Sequence, residues 1–137
     1  MNATAAFLAD AAQVQGGKLY VHGGGWDTIY AGSEPATHPT MALVLLFRVE
    51  YSEALTDIPI EIQLLDEDEN PAGVQLQQKL NVGHAPGSKP GTPSFVPQAL
   101  TFNMLTFPRL GGYQFRILAG AKELALVPFR VAALVGA

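Results

Sequence analysis

Alternation of apolar and polar residues with a period of two, turn-forming residues at short intervals, and no helical repeat predict an all-β chain. The first dozen residues hold enough alanine for a helix. Phe7, Ala9 and Ala11 nevertheless alternate, which makes an edge strand. "QGG" at 15–17 joins it to a second strand, which ends in the triplet Gly23, Gly24 and Gly25. A glycine loop that cradles phosphate needs a helix behind it, because the helix N-terminus meets the anion. "WDTIYA" follows instead, strand-like and without a Walker-type lysine. Glycines inside a strand mark a bend or a close backbone approach. The triplet should therefore turn a corner, carry "WDTIYA" into the other sheet or down an edge, and let Trp26 pack over bare backbone.

In "MALVLLFRVEY", Met41, Leu43, Leu45, Phe47, Val49 and Tyr51 share one face. The other face is also apolar until Arg48, as befits a central strand or one covered on both sides. "IPIEIQLL" puts Ile58, Ile60, Ile62 and Leu64 together, and "VQLQQKLNV" does the same for Val74, Leu76, Leu80 and Val82, with Gln78 intruding. "QALTFNMLTF" begins with Leu100, Phe102 and Met104 in phase and then slips to Leu105 and Phe107, which predicts a bulge. "YQFRIL" turns Tyr113, Phe115 and Ile117 inward. In "KELALVPFRVAAL", Pro128 cannot donate to a ladder, so that strand lies at an edge or bulges.

"DEDENPAG", "PRLGG" and "AGA" supply turns, and the longer "AGSEPATHPT" and "GHAPGSKPGTPS" read as exposed loops. Seven to eight or more short strands with turns at this spacing predict one domain over residues 1–137, an immunoglobulin-like antiparallel β-sandwich. "GGYQFRI" fits that fold, since a Tyr after a glycine turn at the start of a late strand matches its tyrosine corner.

Composition narrows the function. Apolar residues make up 48% of the chain and charged residues 15%, against a usual charged share of about 25%. So little charge leaves apolar surface for self-association or for a protein partner. The net charge is −4 and the basic residues are scattered singly, so neither a nucleic-acid footprint nor a basic membrane face is expected. There is no cysteine, which removes disulfides and thiolate chemistry. "MNATAAFLADAAQVQ" lacks a basic region and carries Asp10 where a signal core would continue. The longest apolar run, "MALVLLF", falls far short of the ~20 residues of a membrane span. A cytoplasmic protein is expected, with a virion as the alternative location.

"FLADAAQVQGGKLYVHGGGWDTI", "LLDEDENPAG" and "GGYQFRILAGAKELALVPFRV" together resemble a family of uncharacterised small bacterial proteins common in actinobacteria. Its members are alike at a "GKLYV-x-GGGWD" segment and a "GxYxFRI" segment. The resemblance implies a source and a fold, and it brings no activity and no catalytic residue. The "GHAPGSKPGTPS" loop and the tail "VAALVGA" have no counterpart in it.

Three groups of residues have the makings of a chemical site. Asp66, Asp68 and Asn70 have the spacing of a calcium loop, but Pro71 stands where glycine is needed and Gln77 where a bidentate Glu is needed. An acidic hairpin turn accounts for them. His22, His38 and His84 have no paired spacing, so no metal site is expected. Ser33, Ser52, Ser88 and Ser94 lie in turn contexts outside any nucleophile elbow, and the carboxylate pairs Asp57/Glu61 and Glu50/Glu53 are solvated positions. The expectation is a non-enzymatic structural or protein-binding module that self-associates in an assembly, with no cofactor. Trp26 and Asp27 are its candidate binding residues, and the final strand "VPFRVAALVGA" is its candidate exposed edge. The alternatives are a phage decoration or tail component, or a small-ligand carrier with a pocket between the sheets lined by Phe102 and Met104.

Overall fold

The computed structural model describes residues 1–134. Nine strands follow in order: β1 (Asn2–Gln15), β2 (Lys18–Trp26), β3 (Thr28–Ala31), β4 (Ala36–Val49), β5 (Ile58–Asp66), β6 (Pro71–Leu80), β7 (Ser94–Phe107), β8 (Gly111–Ala119) and β9 (Lys122–Ala133). Among the described residues the only helical element is a 3-10 turn at Tyr51–Glu53. The strands form two sheets, β2-β1-β4-β7 and β3-β9-β8-β5-β6.

The core between the sheets is built from the alternating positions. Met41, Leu43, Leu45 and Phe47 of β4 are fully buried, and they meet Ile60, Ile62 and Leu64 of β5 and Phe115 and Ile117 of β8 in one cluster. Phe107, Tyr113, Phe115 and Phe129 stack through it at centroid separations of 4.9 to 5.9 Å. Ala9, Ala42 and Val44 are also fully buried, although alternation points them away from that core. β4 is therefore covered on both sides, as its sequence predicts.

β1 is not an edge strand. It pairs with β4 from Asn2 to Ala9, and with β2 from Leu8 to Gln15, so the strand changes neighbours near Ala9. Gly16 and Gly17, at φ 60° and 74°, close the β1–β2 hairpin in the two-residue turn that its right-handed twist requires. The hairpin also comes within 8 Å of β7. Strands two places apart in a flat sheet stand about 9.6 Å apart, so this sheet is strongly coiled.

The glycine corner forms as the sequence predicts. Gly23 and Gly25 adopt φ 58° and 89°, and the chain leaves β2 in one sheet to enter β3 in the other. What lies over the bare backbone is different. A Cβ on Gly24 would stand 3.0 Å from Phe7 and 3.0 Å from Val21, so Phe7 fills the place expected for Trp26.

Four further expectations are corrected. The slip in β7 is not a bulge against β4: the register runs one-to-one from Ala36↔Phe107 to Val49↔Ser94, with only Pro39 opposite Met104 left unpaired. Both strands change phase at that point, and Met104 has φ 56°. The segment "AGSEPATHPT" is only half loop, because Ala36 onward is β4 and Ala36 itself is buried. The final strand is not an exposed edge, because β3 pairs with it in parallel from Thr28↔Arg130 to Ala31↔Ala133. Pro128 lies just before that pairing begins, so its outer side carries no strand. The tail residues 135–137 lie outside the described residues. Finally, Met104 is 65% exposed and Phe102 stacks on Phe115 at 5.3 Å, so these two side chains line no pocket between the sheets.

Candidate functional site: the Trp26–Asp27 corner, the end cleft and the charge-poor sheet

Trp26 and Asp27 are neighbours in sequence at the crossing from β2 to β3, and they face different surroundings. Trp26 is partly buried against the core, with its ring 6.1 Å from that of His38. Its indole N–H has no accessible surface and no hydrogen-bond partner. Asp27 is exposed. Its Oδ1 accepts the Thr28 hydroxyl at 2.9 Å, and its carbonyl accepts the Arg130 N–H at 2.8 Å. These bonds fix the first residue of β3 against β9.

Asp27 borders a cleft of about 480 Å³ at one end of the molecule, with Asp66, Glu67, Glu69, Tyr113 and Arg130. A second cleft of about 360 Å³ adjoins it along Asp66, Glu67 and Tyr113. The surface here is acidic, with Arg130 the one cationic side chain on the first cleft. The turn beneath is self-satisfied: Asp66 Oδ1 accepts the backbone N–H groups of Asp68 and Asn70, both at 2.9 Å. That bonding is the acidic hairpin turn expected at "DEDEN". Tyr113 Oη donates to the Arg109 carbonyl at 2.7 Å, so the phenol ties the start of β8 to the preceding loop. Among the described residues no three His, Asp or Glu side chains converge to hold a metal ion.

The three histidines do not meet. His22 lies on the hairpin and His38 beside Trp26. His84 stacks on Tyr51 at 3.9 Å and reaches the Tyr51 carbonyl at 3.3 Å.

A larger feature was missed from the sequence. The four strands of the β2-β1-β4-β7 sheet carry only Asp10, Lys18 and Arg48 as charged residues. The opposite sheet carries Glu61, Asp66, Lys79, Arg116, Lys122, Glu123 and Arg130. The low charge of the chain is therefore concentrated on one sheet. β7 is an edge of that sheet, fourteen residues long and wholly without charge. Phe95 and Met104, near its two ends, are 55% and 65% exposed. The uncharged run was visible in the sequence; its position at an edge was not.

Fold and surface together describe a two-sheet all-β domain with an acidic end cleft and one charge-poor sheet. The chain belongs to a family of unknown function, DUF6941, whose family model matches residues 4–132. No curated protein and no solved structure matches it. No helix among the described residues is long and apolar enough to cross a membrane.

Proposed function

We propose that this chain is an immunoglobulin-like sandwich of bacterial origin that acts without catalysis, as a structural or protein-binding module that self-associates in an assembly. Support for the fold type comes from the strand order, with β1 and β3 divided between the sheets and β3 running parallel to β9. The Tyr113–Arg109 bond has the form of that fold's tyrosine corner.

The observation that carries the function is the uneven distribution of charge. Soluble surfaces normally intersperse charges, and surfaces depleted of them are the ones that proteins bury against one another. Sedimentation across a wide concentration range tests the proposal: a mass that rises to a defined oligomer is expected, and a monomer at every concentration up to tens of micromolar contradicts it.

A further inference from the structure

We infer that β7 is the contact strand, and that it pairs antiparallel with β7 of a second copy about a two-fold axis, joining two four-stranded sheets into one of eight. This rests on the self-association proposed above and names its surface.

An edge strand offers a row of unpaired N–H and C=O groups, and proteins protect such edges with charge, proline, irregular backbone or short length. Three of the four edges here are protected. β6 carries Pro71 and Lys79. β3 has four residues. β2 carries Lys18 and is broken by the positive φ of Gly23 and Gly25. β7 has Pro97 and the positive φ of Met104 near its end, but along fourteen residues it carries no charge, and Ser94–Asn103 has no positive φ. Among the described residues, no backbone hydrogen bond joins its free side to another segment.

The occupant follows from symmetry and charge. A two-fold contact brings a surface against itself, so any charge near the axis meets its own like charge. Like charges directly opposite are destabilising, and β7 has none to oppose a copy of itself. The exposed apolar side chains also suit a two-fold. Phe95 and Met104, the exposed apolar side chains of β7, lie toward opposite ends of it, so antiparallel pairing places apolar surface at both ends of the contact.

The test places charge near the middle of β7, where Thr101 is exposed. Thr101→Lys and Thr101→Glu should each weaken dimerisation by at least about tenfold through like-charge opposition. Mixing the two variants should restore it, which a folding defect would not do. Leu76→Lys, at an exposed position on the β6 edge, should dimerise like wild type. If wild type forms an oligomer that ignores both Thr101 variants, or that Leu76→Lys alone disrupts, the β7 contact is refuted while self-association stands. If the single variants lose the dimer and their mixture fails to recover it, the two-fold pairing is refuted. A wild type that stays monomeric refutes both the contact and the self-associating function.

Discussion

The glycine corner separates two physical effects that a single substitution would confound. Gly25 has φ 89° and, its chain neighbours Gly24 and Trp26 aside, nothing within 4 Å of where a Cβ would stand, so Gly25→Ala tests backbone conformation. An L-residue held in the left-handed region costs about 1–2 kcal/mol. Gly24 has no positive φ, but its Cβ would stand 3.0 Å from both Phe7 and Val21, so Gly24→Val tests space alone. Added methyl groups in a filled site cost about 1–3 kcal/mol. Unfolding entropy of about 2.1 cal/mol/K per residue makes each kcal/mol worth about 3.5 °C in a chain of this length. Gly24→Val should therefore lower Tm by about 4–10 °C and Gly25→Ala by about 4–7 °C. Urea titration and thermal melts followed by circular dichroism measure both. If either variant melts within a degree of wild type, the corresponding half of the reasoning is wrong.

Other substitutions probe the core and the termini of its strands. Tyr113→Phe keeps the ring against Phe107 and Phe129 and loses the bond to Arg109, so it should cost about 1 kcal/mol in a urea titration. Trp26→Ala should cost about 3 kcal/mol, toward the lower end for an aromatic because the side chain is only partly buried, and should leave the oligomer mass unchanged. Burial alone would push the Glu53 carboxyl up. Hydrogen bonds from the N-terminal amine at 2.6 Å and the Glu50 N–H at 3.0 Å, with the charges of the amine and Lys122, hold it below the ordinary Glu value instead. A lowered carboxyl stabilises the fold above its unfolded pKa and loses that contribution as pH falls through the folded one. Glu53→Gln should therefore melt below wild type near neutral pH, and the gap should close in acid.

Much of the fold was legible because burial in a sheet writes itself in period two. β5 and β8 each bury one alternate set, β4 buries both along Met41–Leu45 as its unbroken apolar run announces, and the Gly16–Gly17 hairpin and the glycine corner carry their own turn chemistry. Pairing partners were less legible. Nothing in the last strand tells that four residues from Thr28 to Ala31 will lie parallel to it, so its edge was misassigned. The slip in β7 was visible, but Pro39 on the opposite strand takes up the same irregularity, and one strand read alone looks like a bulge. At the corner, Trp26 and Asp27 are contiguous in sequence, and only the three-dimensional path separates the core-facing indole from the cleft-facing carboxylate. The cleft sets Asp27 and Arg130 beside the acidic turn at Asp66 and Glu67, and although that turn was visible in the sequence, no local pattern announces its distant neighbours.

Amide hydrogen exchange of β7 at low and high protein concentration tests the central claim most directly. The free-side amides of Ser94–Phe107 should exchange quickly when the protein is dilute and become protected as concentration rises, while the β6 edge stays unchanged. Exchange in β7 that is the same at both concentrations would contradict the account.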